Sequence, residues 1–126
     1  MSTTHTTTFR NAVCTTIINA TPSGKLVYRA SPSTANTPGA EVASLALSAT
    51  SFGAPASGAI TANAIADDTS PVGGTVAYAT IESSAGVVQA HCQVAASGSD
   101  IDFTGGLVVA PTDIVSCSSL VYTAMP

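Results

Sequence analysis

The period of the apolar positions along this chain changes once, near residue 21. Before it, Phe9, Val13 and Ile17 recur at i, i+4 and i+8 with Ala12 and Ala20 beside them, which places them on one helix face. The spacing predicts a helix over residues 9–20. The polar stretch MSTTHTTT ahead of it predicts a flexible arm over residues 1–8, with Thr7 or Thr8 as helix N-cap. Pro22 and Gly24 supply the stop.

Beyond the stop, alternation with period two takes over. In KLVYRA, residues 25–30, Leu26 and Tyr28 share one face and Lys25, Val27 and Arg29 the other. EVASLALSAT (41–50) and AITANAIA (59–66) read as further strands, and TVAYATIES and VVQAHCQVA read as a β-hairpin around the turn SAG. In that hairpin's second strand Val88, Ala90, Cys92 and Val94 fall on a core face, leaving Gln89, His91 and Gln93 exposed. DIDF, GGLVVAP and TDIVSCSSLVYTAM complete a set of about seven or eight short strands separated by Gly, Pro, Ser and Asp turns. The fold expected is mainly β: an antiparallel β-sandwich or jelly-roll-like domain over residues 9–126 with one short N-terminal α-helix. The proline-rich SPSTANTPGA, 31–40, is its most prominent surface loop.

Composition narrows the chemistry. Only 8% of residues are charged, against about a quarter in ordinary domains, so the surface is hydroxyls, amides and small apolar groups suited to contact with protein. The net charge of −4 and the lack of a basic run argue against nucleic acid and against an anionic membrane. No basic n-region precedes an apolar h-region, so no signal peptide is expected, and no apolar run has membrane-spanning length. The chain has 3 cysteines, an odd number with no CxxC pair, which favours free thiols over a closed framework.

Nothing points to catalysis, a cofactor or a metal. His5 lies in the polar arm, and His91 precedes Cys92 in a strand, where neighbouring side chains face opposite ways. The carboxylates of Asp67, Asp68, Asp100 and Asp102 lack the regular oxygen series of a calcium loop and read as turn residues. The residues singled out are instead the 3 basic ones, Arg10, Lys25 and Arg29, all confined to the opening segment FRNAVCTTIINATPSGKLVYR. They are candidates either for internal pairing, with a carboxylate such as Glu41, or for a partner interface. Cys14, on the helix, is a candidate for an interchain disulfide if its thiol is exposed.

The pieces FRNAVCTTIINA, SGKLVYRASPSTANT, LALSATSFGAPASGAITANAIADDTS, GGTVAYATIESSAGVVQA and PTDIVSCSSLVYT resemble a family of small virion-associated β-rich proteins of tailed bacteriophages. The likeness covers most of residues 9–124 and departs at Ala77 to Ile81, where relatives carry WFRI with its aromatic pair. The resemblance implies a structural, non-enzymatic virion protein. Its implied role is capsid decoration (a cement protein), made and assembled in the host bacterial cytoplasm and bound to the outer capsid surface. Its implied partners are the major capsid protein and further copies of itself, as a trimer or dimer. The alternative is a head-fibre, neck or tail-surface protein that contacts the host receptor or a glycan.

Overall fold

The computed structural model describes residues 3–95, 101–102 and 106–124. The helix, α1, runs Thr7–Ala20 and so begins ahead of the expected start. Thr6 is the N-cap: its hydroxyl oxygen accepts the Phe9 N–H at 3.2 Å, relieving one of the orphan donors of the first turn. His5 stacks on Phe9 with ring centroids 4.8 Å apart, which holds the end of the arm against the helix. At the other end Thr21 caps the helix and returns its hydroxyl to the Ile17 carbonyl at 2.8 Å. Pro22 follows, and Ser23 takes the left-handed conformation that turns the chain away.

Nine strands are found among the described residues: β1 (Lys25–Arg29), β2 (Glu41–Ala46), β3 (Ala59–Thr61), β4 (Gly74–Thr75), β5 (Tyr78–Glu82), β6 (Val88–Ala95), β7 (Ile101–Asp102), β8 (Val108–Val109) and β9 (Val121–Thr123). The main sheet has the order β2-β1-β5-β6-β7. All its neighbours pair antiparallel except β6 and β7, where Val94 meets Ile101 in parallel. The mainly β fold with antiparallel sheets and one short helix is as the sequence predicts. So is the β5–β6 hairpin, whose turn is closed by Gly86 N–H to the Ser83 carbonyl at 2.9 Å.

The remaining pairs belong together. β3 pairs with β9 and β4 with β8, and between them Asp68 and Val115 exchange two backbone hydrogen bonds of 2.8 and 2.9 Å. From Ala62 to Asp68 the first segment advances six residues while the second retreats five, from Leu120 to Val115, so one extra residue is absorbed there. The two small sheets are thus stretches of one interrupted antiparallel ribbon. It also covers the outer edge of β2: Ala66 N–H donates to the Ala46 carbonyl, Ser44 N–H to Asp68 Oδ2 at 2.8 Å, and Gly73 N–H to the Val42 carbonyl. An edge that would otherwise template foreign pairing is closed from within.

The run TVAYATIES is where the ribbon and the main sheet join. It reads as one strand, yet Val76 N–H donates to Leu107 in the ribbon and Ala77 N–H to Arg29 in the main sheet. One buried cluster lies between them, with Leu26, Tyr28, Leu45 and Ile81 from the sheet, Ile60 and Leu120 from the ribbon and Cys14 and Ile17 from the helix.

The buried helix face differs from the expected one. Phe9 is 53% exposed, and the face that packs runs Cys14, Ile17 and Thr21 with half-buried Arg10, Asn11, Val13 and Ile18. The surface beneath it explains the rotation, because it presents backbone polar groups that require partners when buried. Asn11 Oδ1 accepts the Gly58 N–H at 2.9 Å, the Cys14 thiol donates to the Gly58 carbonyl at 3.4 Å, and the Arg10 guanidinium donates twice to the Ala124 carbonyl. A phenylalanine there would leave the Gly58 N–H and the Ala124 carbonyl without these partners, while the Gly58 carbonyl keeps the Ala124 N–H at 2.9 Å.

Candidate functional site

The face of the main sheet opposite the core carries the buried polar side chains of Thr80 and Glu82. Alternation along β1 and β5 puts Val27 and Arg29 beside Thr80 and Glu82, and the register sets His91 of β6 opposite Thr80. Over this face folds the proline-rich segment 31–40, which explains why Val27, Thr80 and Glu82 are buried on the side away from the core.

Arg29 is the centre of this arrangement. Its Nη2 pairs with Glu82 Oε2 at 2.5 Å, its Nε donates to the Thr80 hydroxyl at 3.1 Å and its Nη1 donates to the Gly39 carbonyl at 2.9 Å. The Thr80 hydroxyl in turn donates to Glu82. The two side chains of the ion pair are only 16% and 5% exposed, so both charges are largely removed from water and depend on these partners. Ser33 fixes the other side of the segment: its Oγ accepts the Gly39 N–H at 2.9 Å and shares a hydrogen bond of 3.0 Å with His91 Nε2. His91 also tilts against Tyr78, ring centroids 5.0 Å apart. It is half-buried, contrary to the exposed position that simple alternation predicts. The outcome is a loop held at its base by buried side chains, with an uncharged tip, Thr34 to Thr37, closed by its own turn and exposed.

The candidate residues therefore separate. Arg10 and Arg29 are committed internally, Arg10 to the Ala124 carbonyl and Arg29 to Glu82 and the loop. Lys25 alone of the three is exposed, and it takes part in no ion pair among the described residues. Internal pairing was expected with Glu41, and Glu41 is indeed the register partner of Arg29 in β2. The register shift between Tyr28 and Arg29 is what sets Glu41 opposite, yet the guanidinium bonds Glu82 of β5. Cys14 is 0% exposed with its thiol turned to the Gly58 carbonyl, so the condition for an interchain disulfide is not met. Asp68, read as a solvated turn carboxylate, instead staples Ser44 and Ser70 backbone N–H groups at 2.8 and 2.9 Å. Asp100 lies outside the described residues, as does the side chain of Asp102.

Sequence reasoning missed Ser33, Thr80 and Glu82. One signal was present: Thr80 and Glu82 alternate with Ala79 and Ile81, and a charge inside a strand flanked by core residues calls for a partner. Among the described residues no group of three or more His, Cys, Asp or Glu is placed to hold a metal, and no helix is long and apolar enough to cross a membrane.

A second feature is a groove of about 350 Å³ where the ribbon strands part, lined by Ala62 to Ile65 and Cys117 to Leu120. At Cys117 the thiol hydrogen-bonds the buried Tyr28 hydroxyl. Burial pushes the Tyr28 phenol well above its ordinary 10.0, with the neighbouring Cys117 adding to the rise. Burial likewise raises Cys117 above 9.0, against the lowering effect of its bonds to Ser119 and Tyr28. In both cases the fold favours the neutral form, so stability is fully present below these ordinary values. It falls as pH climbs above them, because the unfolded chain then releases protons that the folded chain keeps. We expect urea midpoints to stay level up to about pH 9 and to drop beyond it, with Tyr28 contributing roughly 1 kcal/mol per pH unit above its unfolded value. Tyr28→Phe removes that component, and an unchanged slope in the variant would assign the alkaline loss to other groups.

No protein-family model, no curated protein and no solved structure matches this chain.

Proposed function

We propose that the chain is a bacteriophage virion structural protein, a capsid decoration protein that binds the outer surface of the shell and stabilises it. The observation that supports this reading most directly is the loop at 31–40. A buried Arg29–Glu82 ion pair and the Ser33–His91 contact fix its base, while its exposed tip carries no charge. Ordering a surface loop in advance lowers the entropy lost when it docks on another protein. An uncharged tip of Thr, Ala and Asn meets a protein surface without the desolvation cost of a charge. The internal commitment of Arg10 and Arg29 fits the same reading, since it leaves contact to shape and neutral hydrogen bonds.

The test uses the phage whose genome encodes the chain. Purified protein mixed with its expanded, undecorated capsids is expected to cosediment at a copy number near that of the capsomers and to raise the temperature at which the shells release DNA. Replacing Thr34 and Asn36 with Asp is expected to lower occupancy while leaving the unfolding midpoint in place. Absence from the capsid surface, or a few copies confined to one vertex as for a neck or fibre protein, would overturn the proposal.

A further inference from the structure

The outer edge of β9 is built to accept a strand, and its pattern selects the partner. Leu120 and Ala124 turn their backbone groups toward the ribbon: Ala62 N–H donates to the Leu120 carbonyl at 2.8 Å and Ala124 N–H to the Gly58 carbonyl at 2.9 Å. Because an antiparallel strand directs alternate residues to opposite edges, Tyr122 shares that side, paired with Ile60. Val121 and Thr123 direct their N–H and C=O groups the other way, while Ser119, ahead of the strand, gives its carbonyl to the Cys117 thiol at 3.3 Å. Among the described residues none of these groups has a backbone partner.

Among the described residues, β9 carries none of the usual devices that block edge pairing. Residues 114–124 hold no charge and no proline, and Val121 is 53% exposed. The stretch is also nearly symmetric about Val121. Ser119 and Thr123 are the hydroxyl residues on either side, and Leu120 and Tyr122 the large apolar ones. A two-fold axis through Val121 sets Val121 against Val121 of the second copy as a hydrogen-bonded pair. Ser119 then lies opposite Thr123, and each Val121 N–H meets the Val121 C=O of the second copy.

We infer that two copies of this chain pair antiparallel through β9, joining their ribbons into one sheet of order β3-β9-β9-β3 across a two-fold axis. The partner is a second copy because the edge complements itself in backbone register and in side-chain type, and carries no charge to repel its image. On the exposed face the Val121 pair is flanked by Thr61 of each copy, the register partner of Val121 within the ribbon. The inference does not rest on the proposed function.

Sedimentation of the full chain is expected to show a dimer. Val121→Lys, which puts like charges directly opposite each other, is expected to sediment as a monomer with an unchanged far-ultraviolet circular dichroism spectrum. Hydrogen-bonded antiparallel pairs have Cα atoms about 5.5 Å apart, within disulfide reach. Val121→Cys is therefore expected to give a covalent dimer on oxidation, whereas Thr75→Cys on exposed β4 and the unmodified chain give none. A monomeric full chain would overturn the inference. A Val121→Lys variant that remains dimeric would overturn it as well, by assigning the contact to another surface.

Discussion

Replacing Arg29 with Met is expected to destabilise the protein by about 3 to 5 kcal/mol, the range for removing one partner of a buried ion pair. The cost arises from what remains. Glu82 is 4% exposed, and without the guanidinium its carboxylate keeps, among the described residues, only the Thr80 hydroxyl as a bonded neighbour. The Gly39 carbonyl also loses its donor, so the base of the 31–40 loop loosens along with the sheet face beneath it. Urea unfolding measures the first effect, and limited proteolysis within the loop measures the second. Glu82→Leu combined with Arg29→Met is expected to recover much of the loss in global stability, because two apolar groups leave no buried charge unpaired. It does not recover protease resistance, which needs the guanidinium on Gly39. A loss below about 1 kcal/mol for Arg29→Met would place the pair with solvent-screened surface bridges and remove the ion pair as the anchor of the loop.

Gly58→Ala is also expected to be damaging, at about 2 to 4 kcal/mol, from left-handed backbone strain and a disrupted Arg10 contact together. Gly58 has φ +75, and a Cβ there would stand 2.5 Å from Arg10 Cζ and 2.6 Å from Nε. The guanidinium would have to leave the Ala124 carbonyl, to which it donates at 3.1 and 3.3 Å. The same residue is held by Asn11 at its N–H and by the Cys14 thiol at its carbonyl, so a shift of its backbone disturbs the whole helix contact. The two contributions separate in a double-mutant cycle with Arg10→Met. If displacement matters, Gly58→Ala costs less in the Arg10→Met background. Equal costs in both backgrounds would leave backbone strain as the sole cause.

Local periodicity was a sound guide wherever an element is defined by its own residues. Helix α1, strands β1 and β2 and the β5–β6 hairpin follow from spacing, Pro22 and the Ser-Ala-Gly turn, all short-range features of the chain, although the cap is Thr6 and not the expected Thr7 or Thr8. The division of β1 into Leu26 and Tyr28 against Val27 and Arg29 is also legible, since side chains alternate regardless of what covers them.

Which surfaces are covered was decided by tertiary structure alone. Val27 and Thr80 are buried on the nominally outer face because the 31–40 loop folds over it, and no local pattern reports a loop's destination. Phe9 faces outward and Cys14 inward because the helix supplies partners to the Gly58 N–H and the Ala124 carbonyl, which lie far along the chain. TVAYATIES is one strand by pattern and serves both the ribbon and the main sheet, because its two ends find partners on different segments. The ion pair shows the same division. That a nearly charge-free interior must pair Arg29 with a carboxylate follows from residue types; that the carboxylate is Glu82 rather than Glu41 was decided by the pairing of β1 with β5, which brings Glu82 onto the Arg29 face. Sequence fixes propensity and face, which depend on neighbours within a few residues, whereas burial and partner choice depend on long-range register.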